Sequence, residues 1–234
     1  SKALKLDPNL KVHLKMSCEN LPDVLSHNVI AEMKGSKDPD EIILVGGHLD
    51  SWDTGQGAHD DGAGCVQSIE VFHLFQTMGI RPEKTIRCVL YMNEENGARG
   101  ADVYAQSVKD KGEKHLAAIE SDRGGFSPRG FNVDAGHEDI KIACIAQLHR
   151  WAKLLKPYDL HHFEFGYSGV DIARLKDQRV ALLGFVPDSQ RYFDHHHAPN
   201  DNFDAVNKRE LELGAAAITS LVYLLSKYGL GDGL

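Results

Sequence analysis

Residues 42–45 read IILV, a continuous apolar run with no alternation. A strand with one wet face alternates apolar and polar side chains, whereas a strand covered on both faces does not. IILV therefore predicts a central strand with helices above and below it. Residues 85–92 (TIRCVLYM), 116–119 (LAAI) and 180–186 (VALLGFV) have the same character. Between them, apolar residues recur at helical spacing over 62–78 and 139–155, and residues 98–109 also read as a helix. A last helix is predicted from Asn207, with Glu210 three residues on and a stripe of Leu211, Ala215, Ile218, Val222 and Leu225. Alternating strands and helices imply an α/β chain: a three-layer α/β/α sandwich around a mixed, mainly parallel sheet.

Two further strands are expected near the start. Residues 11–18 alternate, with Val12, Leu14 and Met16 on one side and His13, Lys15 and Ser17 on the other, and residues 27–34 (HNVIAEMK) follow. Together they should add an antiparallel edge, joined by a turn at 35–41 to the IILV strand. No repeat, low-complexity segment or linker divides the sequence, so residues 1–234 read as one domain.

Composition narrows the function. The net charge is −8, and Lys and Arg are scattered without a basic patch, which argues against nucleic-acid binding. No apolar run is long enough to span a membrane, and the opening SKALKLDPNL lacks a signal-peptide core. Cys18, Cys65, Cys88 and Cys144 form no CxxC pair and read as buried thiols.

The chemistry-bearing residues follow the apolar runs. IILV leads into GGHLDSWDTGQGAHDDGAG, the second run into NEENG, LAAI into ESDRGG, and the last run into YFDHHHAPND. Ligands of open α/β sheets bind at the carboxyl ends of strands, so these segments can converge. The clusters hold His, Asp and Glu but no Cys, which suits a hydrolytic zinc, manganese or cobalt site better than a structural one. In His48-Leu49-Asp50, the Asp50 carboxylate is expected to accept the second imidazole N–H. Of Asp60-Asp61, one can cap the following helix, leaving the other to coordinate and even bridge two metals. Of Glu94-Glu95, one can bind metal while the other takes a proton from a metal-activated water. Glu120 and Asp122 are both candidate ligands, and so are His195, His196 and His197 ahead of Asp201.

In this order, the clusters resemble the M28 family of zinc peptidases, in particular its carboxypeptidase-Q-like branch. The matching stretches are GGHLDSWDTGQGAHDDGAG, NEENGARG, AAIESDRGGFSPRGF and YFDHHHAPNDNFDAV. The likeness implies a phosphorylase/hydrolase-like fold and two zinc ions. It assigns His48 and Asp122 to one zinc, Glu95 and His197 to the other, and Asp60 to both, with His196 a rival to His197. Glu94 would be the general base. Asp50 would support His48, Asp61 would follow Asp60 through a cis peptide bond, and Asp201 would lie behind the ligands. Arg123, directly after Asp122, is not part of the expected pattern. Tyr167, Ser168 and Asp171 are candidates for the substrate pocket.

The implied activity is hydrolysis of dipeptides, or of the N-terminal residue of short peptides, by an exported enzyme. Relatives often carry a further domain, and the likeness implies that the chain is a catalytic portion. Two alternatives differ in metal content: a single-zinc aminoacyltransferase like the glutaminyl cyclases, and a metal-free binding module on the same fold.

Overall fold

The computed structural model describes residues 5–231. Seven strands form one sheet: β1 (Val29–Met33), β2 (Asp38–His48), β3 (Lys84–Tyr91), β4 (Lys114–Glu120), β5 (Pro128–Asp134), β6 (His162–Phe165) and β7 (Ala181–Pro187). Their spatial order is β1-β3-β2-β4-β7-β5-β6. Pairs β2/β3, β2/β4, β4/β7 and β5/β6 are parallel, while β1/β3 and β5/β7 are antiparallel. The sheet is thus mixed and mainly parallel, as IILV and its counterparts predict.

Four helices cover it: α1 (Ala63–Thr77), α2 (Arg99–Lys111), α3 (Glu138–Leu155) and α4 (Lys208–Tyr228). Side chains alternate across a strand, and the core divides accordingly. Ile43, Val45, Ile86 and Cys88 pack with Phe75 of α1, Trp151 of α3 and Leu221 of α4. Leu44, Val89 and Tyr91 pack on the other face with Tyr104 and Val108 of α2 and with Ile172 and Leu175. Ile43, Leu44 and Val45 are completely buried, which is why the run cannot alternate. Each such side chain contributes roughly 1.5–3 kcal/mol relative to exposure. The α4 N-terminus is capped by Asn207, whose Oδ1 accepts from the Glu210 amide at 3.2 Å.

The edge differs from expectation. Residues 11–18 form no strand: residues 10–28 have no regular secondary structure, and Val12, Leu14 and Met16 are 85%, 74% and 67% exposed. No strand among the described residues pairs with them, and without a partner alternation has no face to bury. The antiparallel edge is β1 alone. Strands β5 and β6 were not anticipated. Cys65, Cys88 and Cys144 are buried, but Cys18 lies exposed in the unpaired segment. Among the described residues, no helix is long and apolar enough to cross a membrane.

Strands β2, β3, β4 and β7 run parallel, so their carboxyl ends lie along one edge of the sheet. All four polar clusters follow those ends.

Candidate metal centre

His48 is the last residue of β2 and is 1% exposed. Its Nδ1 lies 2.8 Å from the main-chain oxygen of Asp50. A carbonyl can only accept, so Nδ1 carries the proton, and in neutral imidazole Nε2 is left with a lone pair. Nε2 faces Asp60 Oδ1 at 3.3 Å and Asp122 Oδ1 at 3.4 Å. The expected role of the Asp50 carboxylate is therefore corrected. It stands 3.8 Å from Nδ1 and instead accepts the amides of Glu94 at 3.0 Å and Glu95 at 3.2 Å.

Asp60 and Asp61 are joined by a cis peptide bond and divide the labour. Asp61 accepts the amides of His48 and Gly64, each at 3.0 Å, fixing the end of β2 to the start of α1. A Cβ on Gly47 would lie 2.2 Å from Asp61 Oδ2, so only glycine leaves room for this contact. Asp60 is left to point into the centre. Its loop is held by buried Asp201, whose carboxylate oxygens accept the amides of His59 at 2.7 Å and Asp60 at 3.1 Å.

On the far side, Asp60 Oδ2 is 3.3 Å from His197 Nε2 and 3.7 Å from His196 Nε2. His197 Nε2 is also 3.0 Å from Glu95 Oε2, which accepts from Trp52 Nε1 at 2.8 Å. Glu94 Oε2 approaches His48 Nε2 at 4.0 Å. The two candidates following β4 separate. Glu120 turns away to accept the Ile172 amide at 2.8 Å, whereas Asp122 joins His48. Residues two apart share a direction only inside a strand, and β4 ends at Glu120. Tyr167 and Ser168 lie on the neighbouring loop, Tyr167 half-exposed and Ser168 and Asp171 buried.

The electrostatics show a site short of positive charge. Burial would lower the His48 pKa, but the close carboxylates of Asp122 and Asp60 outweigh it and raise it. Burial pushes Glu94 to about 7, helped by Asp122, Glu95 and Asp60 and opposed by His48. Burial and Asp60 likewise raise Glu95. Buried His48 Nε2, Asp60 Oδ2, Glu95 Oε1 and Asp122 Oδ1 have no hydrogen-bond partner among the described residues, an arrangement that is costly unless something else satisfies them. Two groups, His48–Asp60–Asp122 and Asp60–His196–His197, each have ligand atoms within 4.8 Å of one another and share Asp60. Imidazole and carboxylate donors of this kind fit zinc, with manganese and cobalt as substitutes.

Trp52 escaped the sequence reasoning. A tryptophan in an otherwise polar loop was the available signal, since its N–H needs an acceptor when it is held against a site.

Comparison with known proteins places the chain in a family. A profile of Peptidase family M28 matches residues 28–222. Carboxypeptidase Q of Rattus norvegicus is 34% identical over 215 residues, covering 92% of this chain and 44% of that protein. The chain thus spans less than half the length of this curated relative. A Peptidase M28 precursor from Shewanella amazonensis SB2B superposes with a TM-score of 0.77 at 34% identity, over 85% of this chain and 44% of its own. A glutaminyl cyclase from an Acidobacteriales bacterium shares the fold, with a TM-score of 0.66 at 18% identity, over 86% of this chain and 74% of its own. On the profile match and the 34% identity across nearly the whole sequence, this chain belongs to peptidase family M28.

Proposed function

We propose that this chain carries the catalytic centre of a di-zinc exopeptidase that hydrolyses dipeptides or removes the N-terminal residue of short peptides. One observation supports this reading above the rest. Asp60 directs Oδ1 at His48 and Oδ2 at His197, both at 3.3 Å, so one carboxylate serves two clusters. His48 and Asp122 would hold one zinc, Glu95 and His197 the other, with Asp60 shared. His197 is preferred to His196 because it is nearer Asp60 and also meets Glu95.

Bound zinc would supply Lewis-acid polarisation of the scissile carbonyl and acidify a nearby water. Glu94 takes the proton from that water and delivers it to the leaving amine. The Asp50 hydrogen bond to its main-chain amide fixes where this carboxylate sits. Action at the N-terminus follows what the family likeness implies. Export from the cytoplasm, implied by the family likeness, belongs to the same proposal and is checked by fractionating producing cells.

Elemental analysis of protein purified without chelator tests the reading, with two zinc ions per chain expected. Glu94→Ala should keep both ions and lose roughly 10²- to 10⁴-fold in kcat. One ion together with cyclisation of N-terminal glutamine would favour the cyclase-like alternative. Absence of any divalent ion, with no activation by added zinc, would remove the peptidase reading.

A further inference from the structure

Arg123 directly follows Asp122, the candidate ligand beside His48. Six other arginines pair with carboxylates. Arg123 forms no such pair among the described residues. Its one hydrogen bond runs from Nη2 to the main-chain oxygen of Tyr167 at 3.5 Å, at the outer limit for such a bond. That oxygen already accepts Asn132 Nδ2 at 3.0 Å. The remaining guanidinium donors have no partner on the protein among the described residues. Tyr167 itself is 52% exposed.

Arg123 adjoins Asp122 in the chain and reaches the Tyr167 main chain, so its guanidinium lies near the centre and presents paired N–H donors that match a carboxylate.

We propose that Arg123 is a specificity-determining residue whose guanidinium receives a carboxylate of the peptide substrate. The assignment rests on the exopeptidase reading. The carboxylate has two possible sources, the α-carboxylate of a dipeptide or the acidic side chain of an N-terminal residue, and the substrates tested distinguish them.

The experiment compares kcat and KM of the zinc-loaded protein on Ala-Ala against Ala-Ala-amide, and on Glu-Ala-amide against Gln-Ala-amide. A charge-assisted, bidentate contact should favour the carboxylate-bearing member of one pair by roughly 10- to 100-fold in kcat/KM. Preference within the first pair identifies the α-carboxylate, and within the second the side chain. Arg123→Gln should abolish that preference by lowering kcat/KM for the carboxylate-bearing member alone, chiefly through KM. Arg123→Lys should retain part of it. Zinc content and thermal midpoint of both variants should match the parent, which separates lost recognition from lost structure. A parent that hydrolyses both members of each pair within about twofold of one another overturns the assignment while leaving the exopeptidase reading intact, as does a preference that survives in Arg123→Gln; about twofold is well below the expected contact. A parent that hydrolyses none of the four removes both.

Discussion

Asp50 accepts three hydrogen bonds and thereby positions three candidate groups at once. Its carbonyl orients the His48 ring, and its carboxylate holds the amides of Glu94 and Glu95. Asp50→Ala keeps the carbonyl but removes both carboxylate bonds and should cost roughly 1–3 kcal/mol in urea unfolding. It should also weaken zinc binding by roughly 10- to 100-fold, the usual effect of losing an outer hydrogen-bond partner. Unchanged zinc affinity would argue that the loop holds its shape without Asp50. Glu94 makes a second, pH-dependent prediction for the metal-free protein. Its folded pKa of about 7 lies above the ordinary 4.5, so the folded state holds the proton more tightly than the unfolded state. Its contribution to stability is greatest below 4.5 and declines as pH rises toward 7. Since buried His115 titrates with the opposite sign, the useful quantity is the stability of the parent minus that of Glu94→Gln. This difference should fall from pH 4.5 to 7 in thermal melts.

Among the elements, the cap of α4 gives the simplest test. Asn207→Ala removes the acceptor for the Glu210 amide and should cost about 1 kcal/mol, read by urea unfolding, with zinc content unchanged. The Glu210 carboxylate does not close a reciprocal box; it binds Arg191 and Ser127 instead. Strands β2, β3, β4 and β7 were legible because burial on both faces leaves continuous apolar runs. Strand β5 reads PRGFNVD and β6 only HFEF. Pro128 and Gly130 look like breakers, and four residues are too few to establish a period. Residues 11–18 show the opposite error, since alternation specifies two faces but cannot specify a neighbouring strand. The same limit applies at the site. His48, Asp60 and Glu95 could be named from types and position after strands, but the split between Glu120 and Asp122 depends on where β4 ends. Trp52 was hidden because its role is a single hydrogen bond from a loop.

At the scale of the whole molecule, the centre concentrates negative charge where four strands end. A bound divalent cation offsets that repulsion and binds the folded state preferentially. Chelator should lower the thermal midpoint, and zinc at 100 times its Kd should restore about 2.7 kcal/mol. A midpoint indifferent to both would mean that the carboxylates hold no ion tightly. The clamp formed by Asp201 carries a different consequence. It joins residues 142 and 141 positions apart in the chain, His59 and Asp60. Such long loops are expensive to close early in folding. The Asp60 loop is thus secured only when the segment carrying Asp201 reaches it. If Asp60 holds zinc as proposed, zinc uptake during refolding should follow this contact and can be used to time it.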